Sequence, residues 1–440
     1  MSRILANIII AVCIQASVLG AESRASTEPS DSTIVFGVDS TATLDTYIGI
    51  ALKNRSGLKS SHAKWQESLA MKGSAGALEN PILSYSYGYN KFSEPVGPDR
   101  QKFGIMQPLP WLGLLGARKN AAALNADADY QSFLAEELAT VYAVKSAYYE
   151  YYYVAKQLAL TSESFNLMRQ FEEVIRTRYQ AGLAMHPDLI KAQLELGQME
   201  EMIRSMEQML LPAKARILAL LNLPQDARLP EPIAPAISEV QFSTDSLVSV
   251  AERNSPSLSS ISKQIESRQA EVSVVKKMSY PELMLGIEYE RATLLNDMTF
   301  EEETMNEYML TVQLSLPIWF GKNRAMRDAA RARVRMSEFM HQEERNEIAS
   351  MIAMANFEYA DALRKLRLYQ YGLIPKAKEA LDVSITSYQS GQIDFLMLLD
   401  AQRQLFDFEL TAERAKVDAA TKIAELEMIT GTRLVLNSNK

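Results

Sequence analysis

The sequence predicts a mainly helical fold with a membrane β-barrel contribution, built as two repeats of long helices plus a β-hairpin. Three observations lead there. The chain aligns with itself at a shift of 200 residues, four short segments alternate apolar and polar side chains, and two very long runs lack helix breakers almost entirely.

The repeat comes first, because self-similarity governs how everything else is read. At the 200-residue shift Asp45, Ala51, Asn54 and Leu58 meet Asp245, Ala251, Asn254 and Leu258, and Pro81, Leu83 and Tyr89 meet Pro281, Leu283 and Tyr289. A second register, shifted by 209, sets Tyr179-Gln180-Ala181-Gly182 on Tyr388-Gln389-Ser390-Gly391 and Leu189, Ala192, Gln193, Leu196 on Leu398, Ala401, Gln402, Leu405. One unit was duplicated, giving repeat 1 over 44–223 and repeat 2 over 245–430, with a proline-rich linker at 224–244 and a tail at 431–440.

At the N-terminus Arg3 precedes an apolar run from Ile4 to Leu19 and the small residues Gly20 and Ala21. Residues 1–21 thus read as a secretory signal peptide, with an uncleaved membrane helix as the alternative. Residues 22–43, rich in Ser, Thr and Glu, read as disordered. The single cysteine is Cys13, so the mature chain would carry neither a disulfide nor a lipid-bearing N-terminal Cys. A net charge of −8 over 440 residues speaks against nucleic acid as a partner.

The alternating segments are Ile82–Asn90, Gln101–Leu109, Glu282–Glu290 and Tyr308–Leu316. In the first, Leu83, Tyr85, Tyr87 and Tyr89 share one face; in the last, Tyr308, Leu310, Val312 and Leu314 do. Period-two patterning over about nine residues marks strands with one apolar and one polar face. That length suits a bilayer-crossing strand and also a soluble sheet. Polar connections at Ser93–Arg100 and Leu294–Asn306 make two hairpins, at about 81–110 and 281–317. Four strands cannot close a membrane barrel, and open edges cannot face lipid. If the strands span a membrane, the barrel must be shared, and three copies would supply twelve.

From about Ala117 to Ala181 there is no Pro or Gly, and from about Lys322 to Ser390 only Gly372 and Pro375 interrupt. Helices of that length imply a rod or tube. Recurrent alanines, among them Ala121–Ala123, Ala329, Ala330 and Ala332, let helices approach closely on more than one flank. Each long helix stops at a matched break, Gly182-Leu183-Ala184-Met185-His186-Pro187-Asp188 and Gly391-Gln392-Ile393-Asp394, where glycine suits a helix C′ position and Asp188 or Asp394 the next helix start. Met199, Met202, Met206 and Met209 form one helical stripe, read as core packing rather than a metal path.

These elements in this order resemble the TolC family of outer-membrane efflux ducts. The resemblance is carried by Ala51…Asn54…Leu58, Gln107-Pro108-Leu109-Pro110-Trp111 leading to Gly116, Leu316-Pro317-Ile318-Trp319-Phe320-Gly321-Lys322, and Leu398-Leu399-Asp400-Ala401. Its Pro-Trp…Gly junction looks most like the branch serving heavy-metal exporters. The resemblance implies a homotrimer in outer-membrane lipid with a twelve-stranded barrel and a helical periplasmic tunnel. It further implies a periplasmic membrane-fusion adaptor and an inner-membrane transporter of the RND or ABC type. By the same resemblance Gly182, Leu183, Gly391 and Gln392 would be adaptor-contact tips, Asp394 and Asp400 would line the periplasmic entrance, and Pro110, Trp111, Gly116, Pro317, Trp319 and Gly321 would form the barrel-to-helix junctions. Met397 stands where relatives carry a second aspartate.

The sequence holds no phosphate loop, His/Cys metal spacing or nucleophile elbow, so no catalytic, cofactor or metal site is expected. Two other readings stay open here: a duct for type I protein secretion, and a non-conducting periplasmic coiled-coil scaffold.

Overall fold

The computed structural model describes residues 43–89, 96–237, 239–295 and 302–434. The expected signal peptide falls outside that set, as does the expected disordered segment up to residue 42. The described residues belong to one compact unit.

Each repeat opens with a short helix and a longer one: α1 (Leu44–Asn54) and α2 (Ser56–Ala75), then α5 (Thr244–Asn254) and α6 (Pro256–Lys277). Strands β1 (Ile82–Tyr89) and β2 (Val96–Leu109) follow α2, while β3 (Leu283–Leu295) and β4 (Glu302–Leu314) follow α6. The long helices are α3 (Leu114–Gln180) and α7 (Phe320–Arg367); α7 passes through a π-helical turn at Leu368–Leu373 into α8 (Ile374–Gln389). Helices α4 (His186–Leu221) and α9 (Phe395–Thr430) run back from the breaks. At 67 residues, α3 is about 100 Å long at the α-helical rise.

The duplication is visible in the boundaries. Helices α1 and α5 end at Asn54 and Asn254, 200 residues apart, and α4 and α9 begin at His186 and Phe395 and end at Leu221 and Thr430, 209 apart in both cases. The packing repeats too. In the second repeat Leu247, Ala251 and Leu258 are buried with Leu426; their counterparts Tyr47, Ala51, Leu58 and Ile217 are likewise buried.

Small side chains account for the close approach of α3 and α6. Ser267 donates to the carbonyl of Ala121 at 3.0 Å and Ser260 to that of Ala128 at 2.9 Å. A hydroxyl reaches a neighbouring backbone only if both surfaces are nearly bare, which Ala121, Ala128 and Ser132 ensure. The tyrosine-rich stretch of α3 fills the space between elements. Tyr148 meets Tyr47 edge-on at 5.4 Å and accepts from the Ile233 amide at 2.8 Å, and the Tyr152 hydroxyl donates to Glu413 at 2.9 Å.

The strands form one antiparallel sheet in the order β1-β2-β3-β4, so the two hairpins also join through β2 and β3. The strands run longer than their alternating segments: β2 begins at Val96, with a register shift between Val96 and Arg100, and β3 and β4 pair as far as Leu295 and Glu302. Patterning alone misses these ends because Pro98 and the run Glu301–Glu303 break the alternation.

Two further departures concern the helices. Of the methionine stripe only Met199 is buried; Met202 and Met209 are exposed, so the core reading holds for one residue. The run Lys322–Ser390 is not a single α-helix, because the amide of Ile374 bonds back to Tyr369, five residues earlier. Pro375 has no amide to continue the regular ladder there.

Candidate functional site

Sheet register decides which side chains share a surface. Leu83, Ile105, Ile287 and Leu310 lie in one line across the four strands, and Tyr85, Phe103, Tyr289 and Tyr308 in the next. Leu83 is 78% exposed and Tyr308 and Leu310 are each 77% exposed, although they belong to a regular sheet. A contiguous apolar sheet face of this kind needs a covering medium. The opposite face carries Ser84, Ser86, Lys102, Glu288 and Glu307, with Lys102 paired to Glu288 at 2.8 Å.

Edges matter as much as faces. Strands β1 and β4 each have one neighbour, leaving a row of backbone groups unpaired. The helices beside the sheet repeat the arrangement: α2 packs on α3, α3 on α6 and α6 on α7, with α2 and α7 at the two ends. Because β1 follows α2 and β4 precedes α7, strand layer and helix layer stop at the same two edges. Exposed apolar side chains Met336, Phe339, Met340 and Phe357 line α7.

At the junctions, Trp111 stacks on Tyr280 with ring centroids 5.1 Å apart, and Lys277 donates to the Gly113 carbonyl at 2.9 Å. Pro110 ends β2's course, and Gly116 is the third residue of α3; the residue with positive φ is Gly113, a position the motif reading missed. In the second junction Pro317 precedes Trp319, which is exposed and stands at the N-cap of α7, and Gly321 is the second residue of that helix.

The helical-hairpin tips are built alike. The Gly182 amide bonds to the Tyr179 carbonyl at 3.0 Å and Leu183 to Arg178 at 2.8 Å; Gly391 bonds to Tyr388 at 3.1 Å and Gln392 to Ser387 at 2.8 Å. Both are Schellman closures, which place the C′ residue in the left-handed region, and Gly182 and Gly391 have φ of 72° and 74°. Gly182, Leu183, Gly391 and Gln392 are all exposed. Asp394 caps α9 by accepting from the Met397 amide at 3.0 Å, whereas Asp400 is exposed on its second turn. Asp188, in the first turn of α4, faces no side-chain capping bond and acts through the helix dipole.

One residue that motif reading did not find joins the two tips. Arg178, in the last turn of α3, donates through Nη1 to the carbonyls of Tyr388 at 2.5 Å and Gln389 at 3.1 Å, and lies 5.0 Å over the Tyr388 ring. A cation on the final carbonyls of α8 satisfies groups the helix cannot bond itself and complements its dipole. Beneath it Phe171, Ile175, Ala192, Tyr388, Phe395 and Leu398 pack as one cluster drawn from four helices. Arg403 on α9 pairs with Glu195 on α4, Nε to Oε1 at 3.0 Å, and that carboxylate is only 8% exposed. This partner holds the Arg403 guanidinium above its ordinary range. No sequence signal marks either arginine, since their partners lie more than 200 residues away.

No helix among the described residues is long and apolar enough to cross a membrane. An apolar-faced sheet with open edges, continued by helices open at the same edges, defines a subunit of a β-barrel-and-tunnel channel. The chain belongs to the outer membrane efflux protein family, whose pattern matches residues 47–223 and 247–432. It is 23% identical to nodulation protein T of Rhizobium leguminosarum bv. trifolii over 331 residues, covering 74% of this chain and 70% of that protein. It is 24% identical to the cobalt-zinc-cadmium resistance protein CzcC of Cupriavidus metallidurans over 181 residues, covering 39% and 41%. Its fold matches the outer-membrane channel OprN with a TM-score of 0.76 at 15% identity, over 88% of this chain and 89% of that one.

The expected fold class and outer-membrane efflux function are thereby borne out. The protein is an outer-membrane channel component of tripartite efflux systems, extends into the periplasm and is a passive conduit rather than an enzyme. Channels of this family form trimers and work with adaptor and inner-membrane pump partners.

Proposed function

We propose that three copies of this chain close a single duct by setting β1 and α2 of one copy against β4 and α7 of the next, and that the helical tips gate its periplasmic end. The coincidence of the open edges in both layers carries this reading. Closure pairs the backbone rows that lipid cannot satisfy and covers Met336, Phe339 and Met340 of α7.

In the closed entrance Arg178 ties the α3–α4 hairpin to the end of α8, and Glu195–Arg403 ties α4 to α9. A periplasmic membrane-fusion adaptor docking on Gly182, Leu183, Gly391 and Gln392 loosens these ties, and the tips untwist. Three copies of Asp400, with Asp394 behind them at the helix start, then line the opening and favour cations. Pro110, Trp111, Gly116, Pro317, Trp319 and Gly321 seat the barrel on the helices. The likeness to a cobalt-zinc-cadmium resistance protein favours divalent metal ions as cargo, and the inner-membrane pump is of the RND or ABC type. Energy comes from the pump.

Conductance of the purified trimer in planar bilayers tests the gate. Arg178→Ala should raise it. Tyr388→Phe should not, because Arg178 bonds to backbone and the buried Tyr388 hydroxyl has no hydrogen-bond partner among the described residues. Asp400→Ala should weaken block by divalent cations. An Arg178→Ala trimer that conducts no better than the parent overturns the gate.

A further inference from the structure

We propose that the π-helical turn Leu368–Leu373 is the hinge on which α8 swings when the entrance opens, and that the inter-repeat segment holds the α7 side of this hinge still. The inference rests on the gate reading given above and names the place where its motion originates.

The turn is a weak point in an otherwise continuous helix. Its closing bond spans five residues, from Ile374 to Tyr369. Pro375 offers no amide to the Tyr371 carbonyl, and Gly372 adds backbone freedom. None of the six residues of the turn is buried. Immediately before it Leu363 and Leu366 are buried, and after it Ala377 and Leu381 are. No residue between Leu366 and Ala377 is buried, so burial is interrupted around the turn.

The two sides of that interruption pack against different neighbours. On the α7 side, Arg367 pairs with Glu239 of the inter-repeat segment, Nε to Oε2 at 2.9 Å. Asn356 donates to the Phe242 carbonyl at 3.2 Å and to Thr244 at 3.0 Å. Ile237 and Phe242 pack against the cluster of Tyr359, Ala362, Leu363 and Ala419. This segment thus holds the end of α7.

On the other side, Leu381 and Tyr388 belong to the tip cluster with Phe395, Leu398 and Leu399 of α9. Lys378 pairs with Glu409, about four turns into α9, at 3.2 Å, so α8 and α9 are tied as a hairpin. Opposite the turn, Tyr369 meets Phe408 edge-on at 5.4 Å, and Thr411 donates back to the Asp407 carbonyl at 2.7 Å. Such back-bonding favours a bend in α9 at the same level.

Hydrogen exchange on the purified trimer, read together with bilayer conductance, tests the hinge. Amides of 368–374 should exchange at least about tenfold faster than those of the flanking helix turns. Glu239→Ala should spread the fast exchange back into the last turn of α7 and not forward into α8. Deleting Gly372 restores α-helical register; combined with Arg178→Ala it should abolish the conductance gained by Arg178→Ala alone. Pro375→Ala, which restores an amide without changing length, should slow exchange in the turn and decides the matter if the deletion prevents trimer assembly. Uniform protection across 358–382, or a double variant conducting as freely as Arg178→Ala, overturns the hinge. If Arg178→Ala itself fails to open the channel, the gate reading falls and the exchange profile still decides the hinge.

Discussion

A Cβ placed on Gly431 would stand 2.4 Å from the carbonyl oxygen of Asn254. Gly431 follows α9 and Asn254 ends α5, so the end of α9 passes directly against the end of α5. In repeat 1 the matching residues are Asn222 and Asn54. There Asn222 adopts φ 54° and its side chain donates to the Asn54 carbonyl at 3.3 Å. One geometry is thus met by two different side-chain solutions.

The two positions should respond unequally to exchange. Gly431→Asn has no room for its Cβ and a left-handed backbone to hold, so it should destabilise the trimer by at least about 2 kcal/mol. Asn222→Gly loses one long hydrogen bond and gains backbone ease, and should change stability by under about 1 kcal/mol. Thermal unfolding of the trimer in detergent checks both.

The two faces of β4 should respond oppositely to charge. Leu310→Arg places a cation on the apolar face and should impair membrane assembly, at about 2–4 kcal/mol near the bilayer midplane. Thr311→Arg, on the other face, should assemble normally and alter single-channel conductance. Assembly is read from the heat-resistant trimer in the outer-membrane fraction.

Removing Arg403 leaves the Glu195 carboxylate nearly enclosed and unpaired. Half of the Arg403 side chain meets solvent, which screens the pair, so Arg403→Ala should cost about 1–2 kcal/mol rather than the larger figure of a wholly buried pair. Glu195→Gln with Arg403→Leu should recover part of that loss. A double-variant cycle on tip proteolysis measures it.

Alkaline pH should loosen the tyrosine-packed centre. Burial pushes the Tyr149 phenol up from its ordinary value of 10.0 to about 12, and Tyr47 and Tyr152 rise for the same reason. A raised folded-state value means the folded form retains its proton longer than the unfolded chain. That stabilisation is complete below pH 10 and is lost as pH rises through about 12. The melting temperature should therefore fall over this window, and Tyr149→Phe should reduce the fall.

The parts legible in the sequence were those written in periodicity. The alternation of Leu83, Tyr85 and Tyr87 marked a strand, and the breaks at Gly182 and Gly391 marked helix ends because a left-handed C′ residue has few substitutes. The pairing of β2 with β3 was not legible, since nothing in either hairpin names its neighbour. Arg178 and Glu239 were equally silent: each acts on a partner brought close only by the fold, 210 and 128 residues away. Gly372 and Pro375 were seen as interruptions, but a π turn and a plain kink share that signature.

Closure of one duct by three copies is tested most directly by cysteine cross-linking between sheet edges. Tyr85 and Tyr308 lie on β1 and β4, three strand spacings or about 14 Å apart within one sheet, too far for a disulfide in a single chain. A leaderless chain offers no competing thiol, because Cys13 is the sole cysteine. Tyr85→Cys should be combined in turn with Tyr308→Cys, Leu310→Cys and Val312→Cys in one chain and oxidised in the membrane. The account predicts that at least one pair yields covalent trimers stable to denaturant. Only monomers from every pair, in a correctly inserted protein, would contradict it.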